Sequence, residues 1–192
     1  MMPVSKSFFA RDSKEVGYDL IGKLLLRNFK GQTLTGLISQ VDAYSMKNPE
    51  ENKRTEGAFY EPGAIHMYPS QGKYMLAIST LDKNVYNEIL IRRLLPLQGV
   101  EQMKKLRGTK KENELTNGPG KVVEAFGLNR DFDGLFVNHP SSGLWIMNSE
   151  FKDISVKKER EVASGNSEDF VCRYSLNQPD TITSILETIL CL

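Results

Sequence analysis

The sequence predicts an α+β fold: one domain built on a curved, mainly antiparallel β-sheet with helices around it. Three observations carry this. Segments of strand character cluster between Thr33 and Leu94. Segments of helical periodicity lie before, between and after the strands and do not alternate with each of them. No internal repeat, low-complexity block or linker divides the 192 residues, enough for one compact core.

The elements follow in order. Asp12 and Glu15 form a capping pair that opens a helix expected to reach about Arg27, with Val16, Leu20, Ile21 and Leu24 inward. Asn28 to Gly31 reads as a turn. Thr33 to Tyr44 reads as a strand, because the β-branched Thr35, Ile38 and Val41 suit a pleated surface. Residues 45–57 are polar, contain Pro49 and Gly57, and read as a loop. Ile65 to Tyr68, Lys73 to Thr80 and Tyr86 to Leu94 are three further strands, with Pro69 and Gly72 punctuating the first gap. Val100 to Arg107 is a short helix. Asn117-Gly118-Pro119 turns into another, Lys121 to Phe126, which Gly127 ends. Asn148 to Asp169 is charged and poorly patterned, so a loop with at most short strands is expected. Phe170 to Leu176 is a final strand. Asp180 caps a terminal helix, about residues 180–191, whose apolar face carries Ile182, Ile185, Leu186, Ile189 and Leu190.

Composition narrows the class. With 40% hydrophobic and 26% charged residues the chain is an ordinary globular protein. It has no apolar run suited to a secretory signal or a membrane span, so a cytoplasmic protein without membrane contact is expected. Cys172 and Cys191 stand in no metal or redox spacing, and two cysteines fit a reducing compartment. The net charge of +1 excludes a strongly basic nucleic-acid coat but leaves room for a local basic face.

Common cofactor signatures are absent. Gly118-Pro119-Gly120-Lys121 has the wrong spacing for a P-loop, and His66 and His139 lack the neighbours of a metal site. No nucleophile elbow or kinase signature occurs. No cofactor and no metal are expected. The informative stretch is Val41-Asp42-Ala43-Tyr44. At period two, Asp42 and Tyr44 share one side of the strand. A carboxylate beside an aromatic ring at the mouth of a loop suits chemistry on a base. A strand-end Asp that starts a turn, next to a half-buried Tyr, would give the same local pattern.

Six ordered segments resemble the 3-methyladenine (alkyladenine) DNA glycosylase family. Phe8-Phe9-Ala10-Arg11-Asp12, then Val16 and Asp19-Leu20-Ile21-Gly22-Lys23, resemble its opening segment. Val41-Asp42-Ala43-Tyr44 resembles its catalytic strand, normally Glu-Ala-Tyr. Phe59, Pro62-Gly63, Met67-Tyr68 and Gly72 are similar to its next hairpin. Leu90 to Leu97, with Gly99 and Met103, resemble its central strand and helix. Leu115, Asn117-Gly118-Pro119 and Lys121 resemble its Gly-Pro turn, and Arg173-Tyr174 its last strand. Together these span about residues 8–176.

The resemblance implies hydrolysis of the N-glycosidic bond of an alkylated purine flipped out of double-stranded DNA; a monomer is expected, though the sequence itself does not fix the oligomeric state. Extrusion costs a few kcal/mol, less for a damaged base. Asp42 matches the catalytic glutamate, which deprotonates water and steadies the sugar cation. Arg92 matches the arginine near that water. Tyr44 and Tyr68 match two pocket tyrosines that stack on the purine. Lys104, Lys105, Arg107, Lys110 and Lys111 form a basic cluster, for which phosphate contact and a solvated helix face are both open.

The sequence departs from the family pattern in three places. Asp42 is one methylene shorter than Glu, and a 1 Å misplacement can cost about a hundredfold in rate. The pocket histidine of the loop after Tyr44 is missing. Lys53 stands at its offset, beside Arg54, both candidates for the DNA backbone, and His66 in the neighbouring hairpin is a candidate to replace it. Gln71 stands where the family inserts an aromatic wedge into the DNA. The asparagine that guards the pocket falls at Ala77, which would widen it. A protein that binds alkylated DNA with negligible turnover, or a hydrolase of a free nucleoside, therefore remains an alternative at this stage.

Overall fold

A computed structural model gives the conformation of residues 2–46, 60–81, 86–151, 154–163 and 170–177. The expected terminal helix, most of the 45–57 loop, Lys53 and Arg54 lie outside the described residues. In chain order the elements are α1 (Lys6–Phe9), α2 (Ser13–Leu20), β1 (Leu24–Phe29), β2 (Gln32–Met46), β3 (Ile65–Ser70), β4 (Lys73–Ser79), β5 (Tyr86–Gln98), α3 (Val100–Arg107), α4 (Pro119–Ala125), β6 (Leu144–Met147), β7 (Val156–Ala163) and β8 (Phe170–Leu176).

The eight strands form one open antiparallel sheet in the order β3-β4-β5-β2-β1-β6. The 15-residue β2 is its spine. One edge of β2 pairs with β5. On the other edge its first half pairs with β1 and its second half with β8, which carries β7 outward.

The expected first helix is shorter than its apolar pattern. Asp12 caps α2 as predicted, its carboxylate accepting from the Lys14 amide at 2.8 Å. The helix stops at Leu20 because Gly22 takes a left-handed φ of +85°, where a Cβ would lie 2.1 Å from the Ile154 Cδ1. The Gly22 amide then donates to the Ile38 carbonyl at 2.8 Å and starts β1. Leu24 to Arg27 are thus strand and not helix. Val16, Leu20, Ile21 and Leu24 are buried all the same, since a leucine run serves a helix face and a core strand equally well. Lys30 and Gly31, at φ 51° and 83°, turn β1 into β2.

The second difference is β7, eight residues long where at most short strands were expected. Its Lys157, Lys158 and Glu159 are exposed. Such charges blunt an edge strand and erase the apolar alternation by which strands are read. Two shorter elements, α1 and β6, also escaped the sequence.

Period two sorts the sheet into two faces. Val41 and Ala43 of β2, Ile89 and Ile91 of β5, Leu76 and Ile78 of β4, and Cys172 and Tyr174 of β8 join the main apolar core. The core continues into Val16 and Leu20 of α2 and Val122 and Val123 of α4. α2 lies so close that a Cβ on Gly17 would meet Ala43 and Tyr174 at 3.2 Å. The opposite face carries a separate cluster of Tyr44, Met75 and Leu90, with Tyr68 and Val171 against it.

Gly22→Ala should lower stability by about 1–2 kcal/mol, the usual cost of a left-handed conformation for an L residue, before any movement of Ile154. A urea midpoint equal to that of the natural protein would show that the turn does not demand glycine.

Candidate active site

Strand register brings distant residues into one row. On the second face His66 pairs with Ala77, Ala77 with Leu90, Leu90 with Asp42, and Asp42 with Arg173. In the next row Tyr44 sits between Glu88 and Val171. Tyr68 pairs with Met75 one step further along the hairpin. Thus Asp42, Tyr44, Tyr68, His66 and Ala77, spread over 36 positions of sequence, share one side of the sheet.

Arg92 follows Glu88 and Leu90 onto this side by alternation, and it stands at an irregularity in the pairing. Val41 pairs with Ile91 and Gln40 with Arg93, so Arg92 is an extra residue on β5. Ile38 pairs with Leu94, so Ser39 is an extra residue on β2. Bulges of this kind bend a strand and re-aim its side chains.

At the centre stands Asp42, whose side chain is 1% exposed. Arg173 grips it with two parallel bonds, Nε donating to Oδ1 at 2.6 Å and Nη2 to Oδ2 at 2.9 Å. Arg92 Nη1 donates to Oδ2 at 2.8 Å. The Tyr44 hydroxyl donates to the same oxygen at 3.4 Å. Only an ionised carboxylate accepts at both oxygens in this way. Burying it costs several kcal/mol, which the two guanidinium groups must offset. Their side chains are 26% and 27% exposed, so the positive charge stays partly hydrated. The bond to Asp42 holds the Arg173 guanidinium above its usual range, against the opposing effect of burial.

A second polar group lies at the β3 end of the row. His66 Nδ1 is 2.9 Å from Glu88 Oε2, and both side chains are buried. The His66 ring lies between Tyr60 and Tyr68, with centroids 5.4 and 5.2 Å away. Tyr60 in turn donates to Asp133 Oδ2 at 2.8 Å, and Asp133 Oδ1 accepts from the Met67 amide at 2.7 Å. Burial, and then the bond to Asp133, push the Tyr60 hydroxyl up to about 12.

The remaining candidates are separate from this row. Gln71 sits exposed at the tip of the β3–β4 hairpin, at φ 51°, followed by Gly72 at 77°. These values make a two-residue turn. On and after α3 the basic cluster is largely matched by acids. Lys104 pairs with Glu101 and Glu112, Arg107 with Glu124, and Lys111 with Glu114, while Lys105 is exposed. A cavity of about 390 Å³ adjoins the Asp42 row, lined by Gln40, Arg93, Thr116, Glu159 and Ser175 among others. Among the described residues no helix is long and apolar enough to cross a membrane.

The family profile of methylpurine-DNA glycosylases matches residues 7–179. The chain belongs to this family. It is a DNA repair glycosylase, a hydrolase of N-glycosyl bonds. Two proteins of Clostridium perfringens, assigned by name to the 3-methyladenine DNA glycosylases, are similar to it. One is 31% identical over 90% of this chain and 95% of its own length. The other is 33% identical over 70% and 74%. A Clostridium botulinum protein of the same assigned name is 30% identical over 90% and 95%.

The sequence singled out Asp42, Arg92, Tyr44 and Tyr68 and gave no role to Arg173, Glu88 or Tyr60, which the structure places beside them. Arg173 had been matched only as part of a strand. It stands 131 positions from Asp42, so only register reveals their contact. Glu88 did leave a signal: Glu88, Leu90 and Arg92 alternate with the apolar Ile89 and Ile91, which puts them on Asp42's side.

Two outcomes follow. A double-mutant cycle on Asp42→Asn and Arg173→Ala should show coupling of about 1–3 kcal/mol in urea unfolding; additivity would mean the clamp contributes nothing. For Tyr60, an unfolded phenol ionises near 10 while the folded one holds its proton to about 12. Its contribution is complete below pH 10 and is lost as pH rises toward 12. Urea midpoints across that window should therefore fall more steeply for the natural protein than for Tyr60→Phe, and parallel curves would refute the assignment.

Proposed function

We propose that the protein hydrolyses the N-glycosidic bond of an alkylated purine, such as 3-methyladenine, after the nucleotide has been extruded from duplex DNA. Asp42 is the general base and Arg92 and Arg173 hold it. One observation carries this reading. A buried carboxylate is clamped by two arginines on the same sheet face as two tyrosine rings, and among the described residues its Oδ1 accepts only the Arg173 Nε bond. That oxygen keeps room for one more donor, a water.

The chemistry needs little else. Water attacks the anomeric carbon of the sugar while Asp42 takes its proton. The glycosidic electron pair leaves with the base. A cationic purine departs as a neutral molecule, so no acid need protonate it. Asp42 also faces the positive charge that grows on the sugar. Tyr44 and Tyr68 supply aromatic faces for the extruded base, each stacking contact being worth about 1–3 kcal/mol. Ala77, small and central in the row, leaves space for the base. Gln71 at the hairpin tip fills the gap in the duplex, and Lys105 is the exposed cation of α3 for a phosphate. The acids around Lys104 and Arg107 weaken their claim as phosphate contacts. No lysine takes part as a nucleophile, so the product is an abasic site and not a cut strand. The protein acts as a monomer, in the cytoplasm.

Release of free base from methylated duplex DNA tests this. The natural protein should release 3-methyladenine and leave strands that break only after alkali. Asp42→Asn should slow release by about a hundredfold or more, the usual contribution of a general base. Equal release by both proteins would remove Asp42 from the chemistry. Binding without release by the natural protein would favour a DNA-marking role over catalysis.

A further inference from the structure

The His66–Glu88 pair lies on the site face but has no part in the hydrolysis just described. Burying two ionisable groups side by side is costly, and on this strand face an apolar pair would pack as well. The pair is also specifically placed. Glu88 is the β5 neighbour of Tyr44, and His66 is the direct neighbour of Tyr68 on β3. It therefore stands beside both tyrosines that would enclose a base.

Its chemistry is directional. A carboxylate can only accept, so Nδ1 of His66 carries the proton it gives to Glu88. The partner of one ring nitrogen sets the state of the other. Whenever the ring is neutral, Nε2 is then a lone-pair acceptor, and it makes no hydrogen bond among the described residues. The groups around it are the rings of Tyr60 and Tyr68, neither a strong donor fixed on Nε2, and directly across the strand pair stands Ala77, which offers no polar atom. Asp42 lies three strands away along the row, about 14 Å between backbones. A water, a sugar and a purine ring span that separation together with the two side chains. The far edge of such a purine carries its 6-substituent.

We propose that His66, oriented by Glu88, is a specificity-determining residue that selects 6-amino over 6-oxo purines by accepting a hydrogen bond from the exocyclic amino group. A 6-oxo purine would present its oxygen to the Nε2 lone pair, leaving two acceptors facing each other. A mismatch of this kind costs about tenfold to a hundredfold in affinity. The inference rests on the glycosylase site described above, because it assumes that a base lies between Tyr44 and Tyr68.

Two duplexes test it, identical except for one site that holds either the stable 6-amino lesion 3-methyl-3-deazaadenine or hypoxanthine. Affinity for both is measured with the natural protein, His66→Phe and Glu88→Gln, and release of 3-methyladenine by the natural protein is followed alongside. The ratio of the two affinities on one preparation does not depend on how much of it is folded. The natural protein should favour the amino lesion by about tenfold or more. His66→Phe should abolish that preference. Glu88→Gln, whose amide can donate to Nδ1, should reduce it, and this variant decides the matter where His66→Phe does not fold. A natural protein that prefers hypoxanthine, or a variant that keeps the natural ratio, overturns the role of His66. Loss of preference in the variants, with no 3-methyladenine released by the natural protein, would instead sink the hydrolytic reading and leave His66 as a determinant of binding.

Discussion

The ion pairing of Asp42 is the constraint on which the rest of the site depends. A carboxylate buried inside a sheet needs cations or hydrogen-bond donors against it. Here two arginines arrive from two other strands, and each arrival needs its own device. Arg173 comes by register, through the pairing of β8 with the second half of β2. Arg92 comes by the alternation of β5, at the point where that strand holds an extra residue. The length of β2 follows from the same need, since its far half must hold β5 on one edge and β8 on the other. The clamp makes Asp42 rigid as well as charged. A short acid held by a bidentate guanidinium has little freedom to turn, so the clamp fixes the direction of its remaining lone pair.

Much of this was legible before the coordinates. The strands from Thr33 to Leu94, the α3 helix, the last strand and the shared side of Asp42 and Tyr44 all follow from period-two or helical patterning and from glycine and proline punctuation. The failures have physical causes. Leu24 to Arg27 extend a helical stripe and are equally a buried strand, and only the left-handed Gly22 decides between them. β7 hides because an edge strand of lysines and glutamates carries no apolar alternation. Arg173 and Glu88 owe their importance to partners across strands, and single-sequence patterns hold no information about which strands meet. The basic run from Lys104 to Lys111 illustrates the reverse. It reads as a cluster of free charge, yet the fold brings Glu101, Glu112, Glu114 and Glu124 against it.

That neutralised cluster agrees with the chain's net charge of +1. Among the described residues on and after α3, little free positive charge is left for counterion release on a phosphate backbone.

The division of the sheet into two faces has an evolutionary consequence. Because neighbouring side chains point to opposite sides, β2, β3, β4 and β5 each carry a structural code and a chemical code interleaved in one stretch of chain. The positions where the resemblance marks a departure, Asp42 and Ala77, lie on the chemical side, and Gln71 lies at an exposed turn, while the opposite side carries isoleucines, leucines and valines. Changes on the chemical side leave the packing of the main core untouched, except where an ion pair, such as Asp42 with Arg173, ties a site residue to the stability of the domain.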